Sequence, residues 1–282
     1  EHLLQYGNRT IQQTYWCVKC KVPLIQEKCE ICHRNGVILS KIPMRPVFQE
    51  ELEIIKKQFH SKSKWLSLPG LSFWAIKRNY YYNGEKIFSI MGPNINKDSS
   101  IVFFRNKNSL SNGSLNRDKI VDKIRKANLS SLNRLEYQAI TFIEQTVKSF
   151  PDRLPVVSFS GGKDSCVVSH LVRLALGSKI IHIFGDTTIE YPDTYKFIDQ
   201  FKKNNSTVPF IITKPTRSFF ELAKEIGPPS RILRWCCTTH KTGPIGNLMA
   251  SLNGNGTLTF DGIRKQESLR RSKYTSITIK QK

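Results

Sequence analysis

From Leu154 onward the chain alternates short apolar runs with helical stretches: LPVVSFS, DSCVVSHLVRLAL, KIIHIFGDT, PDTYKFIDQFKK, VPFIIT and FFELAKEIG. Parallel strands cannot be joined by a tight turn, and a helix is the usual crossover, so this order predicts α/β architecture with a doubly wound parallel sheet. Ligands of such sheets sit beyond the carboxyl ends of the strands. Two segments fall there: the loop SGGKDS, Ser160–Ser165, and the pair Asp186 and Thr187.

The loop follows a strand and opens a helix. Glycines let successive N–H groups curl around an anion, and the helix amino terminus adds positive potential. Ser160, Lys163 and Ser165 can donate to phosphate oxygens, with Gly161 and Gly162 shaping the backbone. A Walker loop needs four residues between its glycines and a Ser or Thr after its lysine. Here the glycines are adjacent and Asp164 follows Lys163, which argues against P-loop kinase or GTPase chemistry.

Seven cysteines without a basic-then-apolar leader point to thiols or metal ligands before disulfides. Cys17, Cys20, Cys29 and Cys32 form CVKC and CEIC. Each pair suits a tight knuckle, and two knuckles complete a closed tetrahedral zinc site; two disulfides or free thiols are the plain alternative. His33 is left out, because four sulfurs satisfy the metal. Cys166, at the start of the helix after the loop, reads as a small buried residue.

Between these regions PVFQEELEIIKKQF has helical spacing through Phe48, Leu52, Ile55 and Phe59, followed by aromatic and β-branched runs. Asn83-Gly84 predicts a hairpin. Trp74, Tyr80, Tyr81 and Tyr82, interleaved with Lys77 and Arg78, could stack on bases, although such aromatics more often form the core of a small module. Residues 106–118 read as a linker. Helices are expected around 118–128 and 131–149, with Leu132, Leu135, Ala139, Phe142, Ile143 and Val147 along one packing stripe. The expected domains are a zinc ribbon or knuckle (1–42), a small α+β module (43–112), a linker with helices (113–153) and the nucleotide-binding catalytic domain (154–282).

The net charge of +22 suggests a polyanionic partner. Residues 1–150 carry 24 basic and 12 acidic side chains, 151–200 carry 5 and 6, and 201–282 carry 15 and 4. A solubility charge is the plainer reading. No 18-residue apolar run is present, so no membrane span is expected.

The loop resembles that of the PP-loop ATP pyrophosphatases, which share S-G-G-x-D-S. GDTTIEYPDTYKF (185–197), RWCCTTHKTGPI (234–245) and FDGIRKQESLRR (260–271) resemble, in order, three segments of the phosphoadenosine phosphosulfate reductase group within that superfamily. Thr188, Tyr191 and Asp193 stand where Gly, Phe and Glu are usual. The resemblance implies an adenine nucleotide alpha-hydrolase-like fold, ATP with Mg2+, and cleavage to AMP and pyrophosphate. It implies catalytic roles for Lys163, Asp164, Cys236 and Cys237, with Asp164 positioning magnesium or orienting the loop. Nucleotide or phosphate contacts are implied for Asp186, Thr187, Lys241, Gly262, Arg264, Glu267, Ser268 and Arg271.

The adjacent Cys236 and Cys237 resemble those of members with a [4Fe–4S] cluster; a later C-x-x-C is missing before Lys282, so the carboxyl terminus is expected to be truncated and the cluster, which the full-length protein could hold, incomplete in this chain. A persulfide-carrying or structural pair is the alternative. A zinc knuckle followed by a PUA-like module resembles archaeal-type members of the group, and PUA modules bind RNA. The expected function is ATP-dependent activation of an acceptor, RNA or DNA, for sulfur transfer, with a sulfur donor such as a cysteine desulfurase, in the cytoplasm; the resemblance extends to the sulfur-activating component of DNA phosphorothioation systems. The alternatives are a phosphosulfate reductase and a nucleic-acid-binding regulator with a vestigial pocket.

Overall fold

The computed structural model describes residues 13–41, 44–67, 73–92, 99–104, 117–230, 232–264 and 271–278. The chain divides into two compact units, Glu1–Leu135 and Glu136–Lys282, with the division inside one long helix.

The first unit opens with a three-stranded antiparallel sheet of order β2-β1-β3, built from β1 (Thr14–Cys17), β2 (Val22–Leu24) and β3 (Val37–Ser40). A five-stranded antiparallel meander follows: β4 (Arg45–Pro46), β5 (Phe73–Ile76), β6 (Asn79–Tyr82), β7 (Glu85–Met91) and β8 (Ser100–Phe103). Helix α1 (Gln49–Gln58) lies between β4 and β5 in sequence and buries Leu52 and Ile55. The expected helical stripe is only partly internal. Phe48 is the N-cap and is 49% exposed, while Phe59 packs against the core.

The β6–β7 hairpin turns on Asn83 (φ 51°) and Gly84 (φ 84°), the paired left-handed conformation of a type I′ turn. A Cβ on Gly84 would also come within 2.5 Å of the Trp16 indole, so glycine is required twice over. Strand alternation divides the aromatics: Tyr80 and Tyr82 join Phe73 and Phe88 in the core, whereas Trp74 and Tyr81 pair across β5 and β6 on the other face and are half-buried. Helix α2 (Arg117–Ala127) packs against β2.

Helix α3 (Leu129–Ser149) runs through the division between the units. Its expected stripe is not uniform: Ile143 is buried, but Leu132 and Leu135 are exposed. In the second unit β9 (Leu154–Ser158), β10 (Ile181–Gly185), β11 (Phe210–Thr213) and β12 (Thr257–Phe260) form a wholly parallel sheet of order β11-β10-β9-β12. Four helices alternate with them: α4 (Lys163–Leu176), α5 (Pro192–Asn204), α6 (Phe219–Ile226) and α7 (Gly243–Leu252).

Register identifies both faces of the sheet. Val157, Phe159, Phe184, Phe210 and Phe260 share one face with residues of α3, α4 and α5. On the opposite face Gly185 and Thr259 meet Ile245 and Met249 of α7. This is the doubly wound arrangement expected from the alternation. The chain steps from β9 to β11 on one side and returns to β12 on the other, so the order reverses between β9 and β12.

One buried polar pair stitches α4 to the sheet. His182 is fully buried; its Nδ1 lies 2.8 Å from the Ile180 carbonyl and its Nε2 2.8 Å from Ser169 Oγ. A carbonyl only accepts, so Nδ1 carries the hydrogen and Nε2 accepts from the serine. Burial, with Arg173 also disfavouring a second positive charge, depresses the His182 pKa against the opposing pull of the Ile180 carbonyl. The neutral ring therefore contributes stability above the unfolded pKa of about 6.5, and that contribution is lost as pH falls. Ser169→Ala strands Nε2 without a donor and is expected to cost about 1–3 kcal/mol in urea unfolding at pH 7.5. An unchanged midpoint would show that the pair is energetically silent.

Candidate functional site

The Ser160–Ser165 loop leaves the carboxyl end of β9 and enters α4 at Lys163, with Gly162 as N-cap. Gly161 has φ 75°, a left-handed turn that glycine adopts without a Cβ penalty. The loop binds itself into shape: Ser165 Oγ donates to the Gly162 carbonyl at 2.8 Å, and the Gly162 amide points to Ser160 Oγ at 3.4 Å. Ser165 is buried, while Ser160, Gly162 and Lys163 face solvent.

The segment after β12 reaches the same place. A Cβ on Gly262 would lie 3.0 Å from the backbone of Asp164, so only glycine lets the two loops touch. Two residues later Arg264 Nε lies 3.3 Å from Asp164 Oδ2, and Lys163 Nζ lies 2.9 Å from Oδ1 of the same carboxylate. Two cations from separate loops thus converge at the crevice where the strand order reverses, beside the amino terminus of a 14-residue helix. This arrangement can receive a multiply charged phosphate group.

Asp186 follows β10 and is 3% exposed. Its Oδ1 accepts from the Thr188 amide at 2.8 Å and the Tyr195 hydroxyl at 2.6 Å, and Oδ2 faces Lys214 Nζ at 3.3 Å. Burial works against its charge, but Tyr195, Thr188 and Lys214 together hold its pKa below the usual value. Burial and the same hydrogen bond push Tyr195 up to about 12. Thr187 donates to Glu190 at 2.8 Å. Thr188 has φ 67°, costly for a β-branched residue, and its hydroxyl accepts the Phe219 amide at the start of α6. Neither Tyr195 nor Lys214 stands out in the sequence. Tyr195 was traceable as a hydroxyl in the first turn of the helix after Asp186. Lys214 follows only from the Gly185–Thr213 register.

Cys236 is half-buried and Cys237 exposed, at the head of a π-helical turn, Cys237–Thr242, that also carries Lys241 and runs into α7. Burial, then the neighbouring Cys237, raises the Cys236 pKa. Ile245 of α7 packs over Gly185, which brings this segment to the strand end beside Asp186. In the same turn His240 is buried between Phe219 and Trp235. Thr239 donates its hydrogen to the Trp235 carbonyl and so accepts from His240 Nδ1 at 2.8 Å. His240 Nε2 is left as a buried acceptor with no partner among the described residues. Arg271 is exposed, in a 3₁₀ turn, Arg271–Lys273. Glu267 and Ser268 lie outside the described residues. Cys166 packs against the core, and burial raises its pKa.

In the first unit the sulfurs of Cys17, Cys20, Cys29 and Cys32 lie within 4.8 Å of one another, Cys17 and Cys32 at 3.5 Å. A tetrahedral zinc with Zn–S bonds of about 2.3 Å needs sulfurs about 3.8 Å apart, so the cluster fits that ion. Lys21 (φ 55°) and His33 (φ 57°) make the left-handed turn after each C-x-x-C, and His33 is exposed, away from any ligand role. The Arg34 amide draws Cys32 down to about 7, whereas burial lifts Cys17 and Cys20. Among the described residues this is the one group of three or more such side chains gathered for a metal, and no second set completes Cys236 and Cys237. No helix among the described residues is long and apolar enough to cross a membrane.

The family model of the phosphoadenosine phosphosulfate reductase domain matches residues 154–282. An uncharacterized protein of Methanocaldococcus jannaschii, MJ0066, is 35% identical over 158 residues, which are 56% of this chain. The chain spans 32% of that curated relative's length. Among solved structures, an NH3-dependent NAD synthetase from Campylobacter jejuni, in complex with nitrate, aligns at 15% identity and a TM-score of 0.35, over 45% of this chain and 54% of that one. A phosphoadenylyl-sulfate reductase from Candida auris, in a phosphate complex, aligns at 18% identity and a TM-score of 0.35, over 56% and 70%.

Proposed function

We propose that the chain, whose residues 154–282 match the family model of the phosphoadenosine phosphosulfate reductase domain and whose glycine loop resembles that of the PP-loop ATP pyrophosphatases, cleaves ATP to activate an acceptor for sulfur transfer. The carrying observation is the meeting of Lys163 and Arg264 at the glycine loop, across the reversal of strand order. In this reading an acceptor oxygen attacks the α-phosphorus, forming an O–P bond while the α–β bridge breaks and pyrophosphate leaves. The terminal sulfur of a protein persulfide then forms a C–S bond as the C–O bond to AMP breaks and AMP leaves, and an external dithiol reduces the resulting protein–acceptor disulfide, freeing the thiolated acceptor and the protein thiol.

Lys163, Arg264 and the α4 amino terminus hold the departing pyrophosphate, and the exposed Cys237 and half-buried Cys236 are the thiols available to relay sulfur. Magnesium bound with the nucleotide would neutralise charge on the leaving group, and Asp164 is a carboxylate within the loop that could hold it. The basic flanks and the four-cysteine module favour a large anionic acceptor, RNA or DNA. The test is pyrophosphate release from ATP, with and without tRNA or duplex DNA and a persulfide donor. Absence of release under every condition excludes the reading.

The family itself favours a second reading, reduction of a phosphosulfate nucleotide. Sulfite release from that nucleotide with a dithiol reductant, and none of pyrophosphate from ATP, would select it.

A further inference from the structure

Asp164 faces two cations at once. Its Oδ1 and Oδ2 lie 2.9 and 3.0 Å from Lys163 Nζ, and Oδ2 lies 3.3 Å from Arg264 Nε. The carboxylate also occupies the first turn of α4, where the positive end of the helix favours negative charge. It therefore consumes the two sources of positive potential that a bound phosphate would use. The side chains of Lys163 and Arg264 are 72% and 54% exposed, and ion pairs that open to water are weak and readily exchanged. Gly262, pressed against the Asp164 backbone, keeps the Arg264 segment within reach while the pairing changes.

We propose that Asp164 is a positioning residue, an internal counter-ion that stores Lys163 and Arg264 in the nucleotide-free protein and yields both to an arriving pyrophosphate or polyphosphate group. This rests on the reading of the loop as a phosphate site and adds a competitor built into it. The carboxylate keeps the two cations together without an external anion, at the cost of weakened affinity for one. A group that only oriented the loop would lower affinity when removed; a competitor raises it.

The experiment is titration calorimetry of the full chain with inorganic pyrophosphate in EDTA, so that no metal enters. Asp164→Asn is expected to bind about tenfold more tightly than the parent, through lost repulsion and lost competition from two exposed pairs. Asp164→Glu retains the charge and is expected to stay within about threefold of the parent. Asp164→Ser, neutral without the amide, should repeat the gain and covers the case in which the asparagine variant does not fold. Equal or weaker binding by both neutral variants overturns the counter-ion role while leaving the phosphate site standing. Absence of pyrophosphate binding by the parent and all variants overturns the phosphate-site reading as well.

Discussion

Cys29→Ser is expected to abolish stoichiometric zinc in the purified chain and to unfold the region around the knuckles. Cys29 is fully buried, and its amide donates to the Arg34 carbonyl at 3.0 Å, closing the second knuckle. The neighbouring Glu30 ties that knuckle to the helices: its amide donates to the Ala127 carbonyl, and its carboxylate accepts the Ser130 amide in the first turn of α3. The Ser130 hydroxyl donates to the same carboxylate. Structural zinc contributes binding free energy of about 10–16 kcal/mol to small modules, so removing one of four thiolates should cost several kcal/mol. Elemental analysis should fall from one zinc per chain to a small fraction, and amide exchange should quicken at the α2–α3 junction. Retention of one zinc at unchanged affinity would falsify the four-thiolate assignment.

The second large effect is expected at Asp186. Asp186→Asn leaves the shape but removes the charge that the Tyr195 hydroxyl, the Thr188 amide and Lys214 all address. For so buried a carboxylate the loss at pH 7 should be about 2–4 kcal/mol. The native pKa lies below the unfolded value of about 3.9, so the stabilisation is whole above that value. It is lost as pH falls through the native pKa. Urea unfolding should therefore separate parent and variant widely at pH 7, with the gap narrowing steadily as pH falls below about 3.9. A gap that is absent at pH 7, or that widens in acid, would refute the account. The variant should also loosen the Thr188 turn and its link to α6, which Phe219 amide exchange can follow.

The α/β class was legible because short, nearly continuous apolar runs alternating with helical stretches have few other solutions. The helices expected around 118–128 and 131–149 lie at Arg117–Ala127 and Leu129–Ser149. The Asn83-Gly84 hairpin was equally readable, since the required positive φ values restrict the residues that can make it. The stripe on α3 was readable only as periodicity: Ile143 is buried, while Leu132 and Leu135 stay exposed, because burial depends on what lies opposite. The aromatics of β5 and β6 likewise divided by strand face, which composition does not reveal.

Taken alone, the sequence determined the local conformations and the pairing of cysteines into knuckles, because both depend on spacing within about a dozen residues. It also marked the loop that turns from strand to helix. Only the tertiary structure decided which distant charges meet there. Arg264 is 100 residues from Asp164, and strand order alone, by placing β12 beside β9, brings its segment against the loop. Lys214 reaches Asp186 in the same way, through the register of β10 with β11. These contacts arise from closure of the sheet around a shared core, a property of the whole chain that no local pattern carries.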